Sequence, residues 1–132
     1  MAEPFWVEIV SADALVWEGE STQLTATTTE GMIGVLAHHI PLIATLAPGS
    51  TAEVTATDGT RHVVAVDGGF VSVTLTRTAI ISPYAQMAED IDIDQARRDL
   101  RECQDKRDAG DNSMETEMAY RRAQAQVKAV DH

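Results

Sequence analysis

Residues 78–98 read TAIISPYAQMAEDIDIDQARR, and the chain changes character inside this stretch. Up to Ile81 the side chains alternate in the manner of a half-buried strand. Pro83 stops that pattern, and from Asp92 the apolar positions recur at three and four. Outward from the break the halves differ in charge as well. Residues 1–83 hold nine acidic and two basic side chains, and residues 84–132 hold twelve and eight. We therefore expect a β-rich unit over 1–87 and a helical unit over 88–132, two parts with two jobs.

The first unit reads as eight to ten short strands, the pattern of an N-terminal β-sandwich or a closed barrel. Phe5–Val10 and Ala14–Glu18 are expected as the first two, then Gln23–Thr28 and Leu42–Leu46. Asp58-Gly59 between Thr51–Thr57 and Arg61–Val66 is a strong hairpin signal. Asp67-Gly68-Gly69 makes another turn before Phe70–Val73, and Thr78–Ile81 closes the series. No helix-length segment interrupts them, which argues against a parallel βαβ fold.

The second unit starts with Asp92, whose carboxylate can cap the amide of Gln95, with Asp94 at the positive end of the helix dipole. Ile93, Ala96, Leu100 and Cys103 form one narrow apolar stripe. The run Ala109-Gly110-Asp111-Asn112-Ser113 breaks the helix, and Asn112 with Glu115 predicts the next cap. Met114, Met118, Ala119, Ala123, Val127 and Val130 are expected to line the second helix. The result is an antiparallel two-helix hairpin with a weak seam, because small side chains bury little area.

The net charge of −11 and a β half whose only cations are Arg61 and Arg77 argue against nucleic acid as a partner. Cys103 is the single cysteine, so no internal disulfide forms. The start lacks the basic region of a secretory signal, and no run approaches the length of a membrane span. The expectation is a soluble intracellular protein. The glycines at 31, 34, 68 and 69 precede no helix and no P-loop lysine, so they read as turns. His38, His39 and His62 lack metal-ligand spacing, and Cys103 beside Leu100 reads as a packed thiol. The carboxylate pairs Glu89-Asp90 and Asp92-Asp94 sit at a helix start, where capping accounts for them. Trp6, Trp17 and Phe70 are expected in the core. The hairpin arginines are expected on a solvated face, with Arg98–Glu102 and Arg101–Asp105 as partners.

Three segments together carry a resemblance. They are Glu30-Gly31-Met32-Ile33-Gly34-Val35-Leu36-Ala37-His38-His39-Ile40-Pro41-Leu42 continuing to Pro48-Gly49, then Val66-Asp67-Gly68-Gly69-Phe70-Val71-Ser72-Val73, and Ala88 to Arg97. In order and spacing the chain resembles the epsilon subunit of the rotary F-type ATP synthase. The resemblance implies a non-catalytic subunit with an N-terminal sandwich and a C-terminal hairpin. It implies binding to the gamma subunit and the c-ring, contact with the alpha/beta catalytic subunits, and a peripheral place on the cytoplasmic face of a bacterial membrane, reached only through the complex. In many members the compact hairpin permits ATP hydrolysis and the extended hairpin inhibits it.

No cofactor is required on this resemblance, but some members bind ATP as a regulatory ligand through Ile-Asp-x-x-Arg-Ala. Carried over, that motif falls on Ile93, Asp94 and Arg97, with Arg98 where Ala is usual. A bulkier cation there would crowd the nucleotide or add a phosphate contact. Arg122 matches a second-helix arginine of such members more loosely. The positions facing the ring and gamma fall on Glu30, Met32 and His39. Met32 replaces a common acidic residue and Ala37-His38 a common Pro-Gly, so this contact is expected to be more apolar than usual. Two rival readings remain at this point: a free-standing β-sandwich binding module with a helical tail, and a small jelly-roll metalloenzyme using the three histidines.

Overall fold

The computed structural model describes residues 3–131. Nine strands run β1 Phe5–Val10, β2 Leu15–Thr28, β3 Gly31–Val35, β4 Leu42–Thr45, β5 Ser50–Ala56, β6 Arg61–Val66, β7 Phe70–Val73, β8 Arg77–Ile81 and β9 Ala85–Met87. A short 3-10 turn over Ala88–Asp90 leads into α1 Ile93–Asp108 and α2 Met114–Val130. The strands hydrogen-bond in the order β4-β7-β8-β1-β2-β5-β6-β9, with β3 on the other side of β2.

The two strands expected over Ala14–Glu18 and Gln23–Thr28 are one. The polar run Glu18 to Thr22 resembles a turn, yet the backbone passes through it extended, with a register shift between Ser21 and Gln23. A bulge of this kind bends a strand without ending it. The first half of β2 pairs with β1 and the second half lies between β3 and β5. One strand thus belongs to both layers, and the continuous sheet folds over on itself. Inward side chains from the two layers, among them Val7, Ile9, Leu24, Val54, Val64, Val66, Val71 and Ile80, pack as a single buried core. The parallel pairing of β1 with β8 ties the start of the described chain to the last strand of that layer.

Other expectations shift in detail. β9, which pairs with β6, follows Pro83 where the strand series was expected to have ended. Phe70 points outward and is 43% exposed, because it shares the outer face of its layer with Ile81. Trp6 is half-buried on that same outer side and donates its indole N–H to Glu8, while Trp17 packs against the core. Phe5 takes the buried place instead. Gly69 is obligatory: its φ is +87°, and a Cβ there would meet the Ile81 carbonyl oxygen at 2.0 Å.

Asp92 caps α1 as expected, accepting from the Gln95 amide at 3.2 Å. The cap of α2 is Ser113 rather than Asn112, with its Oγ accepting from Thr116 N at 3.3 Å. Asp111 reinforces the start by accepting from Ser113 N and Thr116 Oγ1. Met114 is 85% exposed, with Met118 and Ala119 also on the outside, because α2 turns its alanine face to the sandwich. Thr116, Ala123, Ala125 and Ala129 are the buried residues of α2.

Candidate functional site

The helical hairpin lies against the outer face of the sandwich, and the contact is built from very small apolar groups. Ala125 and Ala129 of α2 sit on Ala65 of β6, flanked by Val63, Tyr84, Ala88 and Ile91. Outward positions alternate along β6, so Ala65 presents only a methyl and the helix axis comes close to the sheet. α1 packs on α2 and forms the outermost layer.

Polar contacts ring this alanine contact. Asp67 follows β6 directly and is 7% exposed. Its carboxylate accepts from Arg121 Nε at 2.9 Å and from the backbone N–H of Gly49 at 3.1 Å. Arg122 Nε lies 3.8 Å from the other carboxylate oxygen, is buried, and has no hydrogen-bond partner. Lys128 donates to the Gly49 carbonyl at 3.2 Å. Gly49 has φ +58°, and a Cβ there would stand 3.1 Å from the Arg121 carbonyl oxygen and from Gln124 Oε1. The Pro48-Gly49 turn is therefore a seat shaped for close approach of α2. On the other flank Gln126 donates to the Tyr84 hydroxyl at 2.7 Å, and that hydroxyl donates to Gln86. The Arg122 guanidinium stands 5.1 Å from the Tyr84 ring centroid. Burial pushes the Tyr84 hydroxyl above its ordinary pKa, against the opposing pull of Gln126 and Arg122.

Within the hairpin, Ala96 and Cys103 of α1 are buried, and burial raises the Cys103 thiol. Arg97 bonds Asp131 at 2.7 Å and Arg107 bonds Glu117 at 2.9 Å, tying both ends of the pair. Arg107 also stacks 4.0 Å from the Tyr120 ring centroid. A groove of about 340 Å³ runs between the helices, lined by Asp99, Glu102, Cys103, Lys106, Arg122 and Gln126 among others.

Of the residues expected to meet a nucleotide, only Arg122 lines that groove. Ile93 and Asp94 form the first turn of α1. Arg97 is engaged with Asp131, and Arg98 donates to Gln95 Oε1 rather than pairing with Glu102. Glu102 pairs with Lys106 instead. Arg121, Asp67, Gly49 and Lys128 were not singled out from the sequence. The one available signal was an acid and a glycine placed at consecutive turns of the sandwich, with nothing to say that a helix lands there.

Glu30 sits in the β2–β3 turn and Met32 follows in β3, with Met32 72% exposed. His39 turns its Nδ1 to the Ile40 carbonyl oxygen at 2.7 Å. His38, at φ 64°, pairs with Glu3 at 2.6 Å, and its backbone N–H bonds the Leu75 carbonyl. Leu36, Ile40, Ile43 and Leu75 are also exposed. Among the described residues, no group of three His, Cys, Asp or Glu side chains could hold a metal, and no helix is long and apolar enough to cross a membrane. His62 packs against Trp17.

The geometry defines a β-sandwich with a helical hairpin packed on one outer face and exposed apolar side chains along the β3–β4 segment and at Leu75. Comparison with known proteins gives the same class. A family model described as the β-sandwich domain of the ATP synthase delta/epsilon chain matches residues 4–88. The ATP synthase epsilon chain of Cutibacterium acnes is 48% identical over 97 residues, covering 73% of this chain and 66% of that protein. The epsilon chain of Thermobifida fusca is 38% identical over 133 aligned residues, covering 98% and 94%. A chain in the structure of the Euglena gracilis mitochondrial ATP synthase, described as OSCP/F1/c-ring, matches with a TM-score of 0.81 at 25% identity, covering 98% of this chain and 82% of that one. The chain belongs to the epsilon-chain family of the F-type ATP synthase, whose members are non-catalytic subunits of the rotary complex.

Proposed function

We propose that this chain serves in the central stalk, where the sandwich joins the gamma subunit to the c-ring and the hairpin acts as a brake on ATP hydrolysis through the alpha/beta catalytic head. The complex would place it at the cytoplasmic face of a bacterial membrane, held there only by its partners. The observation that carries this reading is the clamp itself. A permanent domain contact is expected to be large and apolar, yet α2 rests on alanine methyls, each worth about 0.8 kcal/mol when buried, plus polar groups that water can replace. Docked and released states are then close in energy, and a partner that binds the released hairpin shifts the population toward it. Exposed apolar side chains recur along residues 30–43, at Met32, Leu36, Ile40 and Ile43, and this segment, which also carries Glu30 and His39, suits the ring and gamma contact. A tagged chain expressed in its own host should co-purify from native membranes with the larger ATPase subunits. Recovery without them would overturn the assignment of partners.

ATP as a regulatory ligand is part of the same proposal, through Ile93, Asp94, Arg97, Arg98 and Arg122. The cost is visible: Arg97 must leave Asp131 and Arg98 must leave Gln95. Both contacts are surface pairs worth about 0–1 kcal/mol, so a polyphosphate can displace them. Isothermal titration with Mg-ATP should show binding that Arg97→Ala weakens. No heat at about millimolar ATP, a threshold near 4 kcal/mol of binding, removes the nucleotide from the account.

A further inference from the structure

Asp67 is the one carboxylate buried at the contact between hairpin and sandwich, and it faces more positive charge than it can satisfy. Arg121 holds one oxygen at 2.9 Å. Arg122, the next residue, approaches the other oxygen only to 3.8 Å and leaves its buried Nε without a partner. Gly49 supplies a third donor from its backbone, and Lys128 closes the cluster on the Gly49 carbonyl. The buried centre of the apolar contact is three alanines, with Val63, Tyr84, Ala88 and Ile91 only partly buried around it, so charge and hydrogen bonding weigh heavily in whether α2 stays.

We propose that Asp67 is the latch of the hairpin: a single buried anion shared by Arg121 and Arg122, seated on Gly49, which sets the ratio of docked to released states. Asp67 acts through the hairpin and is a positioning residue for the brake. The two arginines are adjacent on α2 and still half-exposed, so either can be hydrated in place, whereas Asp67 regains water only when α2 leaves. An uncompensated buried carboxylate is the costly partner of any broken pair. Removing the arginines should therefore expel the hairpin, and removing the carboxylate as well should let it return.

The latch rests on the brake reading only for its biological consequence, because the test is made on the isolated full-length chain. Amide hydrogen exchange at Gly49, whose N–H bonds Asp67 and lies beneath Arg121, reports opening of the seat. Arg121→Gln with Arg122→Gln should lower Gly49 protection by about 100-fold or more. Val64, deep in the sandwich core, should keep its protection. Adding Asp67→Asn to that double variant should restore Gly49 protection by about tenfold, since the Asn oxygen still accepts from Gly49 and no charge is stranded. Arg121→Gln alone should cost less, because Arg122 can take its place. The proposal is overturned if the double variant stays within about threefold of the parent, since that is under the cost of a stranded charge. It is also overturned if the triple variant is no better than the double, or if Val64 loses protection in parallel with Gly49.

Discussion

Ala125→Leu offers a way to release the hairpin without touching a charge. Ala125 is fully buried between α2 and the Ala65 methyl, with Tyr84, Ala88 and Ile91 around it. Leucine adds three carbons where no space exists for them, and the sheet backbone of β6, paired on both sides by β5 and β9, cannot retreat. Overpacking of this kind costs about 1–3 kcal/mol. Ala and Leu are both strong helix formers, so α2 itself is not weakened. The whole penalty falls on the docked state, and at 1.4 kcal/mol per decade the docked-to-released ratio should fall about 5- to 150-fold. Hydrogen exchange at Gly49 should accelerate by that factor, while Val64 in the core keeps its protection. On the proposed brake, hydrolysis by the reassembled ATPase should fall as the released population grows. Unchanged exchange at Gly49 would refute the reasoning, since it would mean that α2 and β6 are not in tight contact.

Gly69→Ala should be severe: the added methyl would lie 2.0 Å from the Ile81 carbonyl oxygen in a backbone with φ +87°, and a loss above about 3 kcal/mol in denaturant unfolding is expected. A loss below about 1 kcal/mol would show that β7 and β8 do not approach so closely there. The start of α2 carries a pH signature. Hydrogen bonds from the Ser113 amide first, then Thr116, hold the Asp111 carboxyl below its ordinary value of 3.8. A carboxyl more acidic when folded contributes stability that is complete above 3.8 and disappears as pH falls through the lower folded value. The Ser113 amide resonance should therefore move in that acid window, and Asp111→Asn should abolish the movement. A Ser113 signal that stays flat throughout the acid titration contradicts the cap.

Much of this architecture is legible locally. The change of rhythm near residue 84, the Asp58-Gly59 hairpin and the Asp92 cap each depend on a few neighbouring residues, and each appears where expected. What local reading misses is decided by distant contacts. Glu18 to Thr22 looks like a turn, but β1 on one side and β5 on the other hold it extended. Met114 and Met118 fit the helical stripe, yet the sandwich selects the alanine face, because only methyls allow α2 to lie close to β6. Asp67 reads as a turn residue until Arg121, 54 positions away, bonds to it. Phe70 has the size of a core residue, while its register with Ile81 assigns it to the outer face.

The central claim is that the hairpin restrains ATP hydrolysis, and steady-state hydrolysis by the complete complex tests it most directly. Complex assembled with a chain ending before Ala88 should retain its other subunits and hydrolyse ATP faster than complex carrying the full chain. Equal rates from two complexes of the same composition would contradict the account.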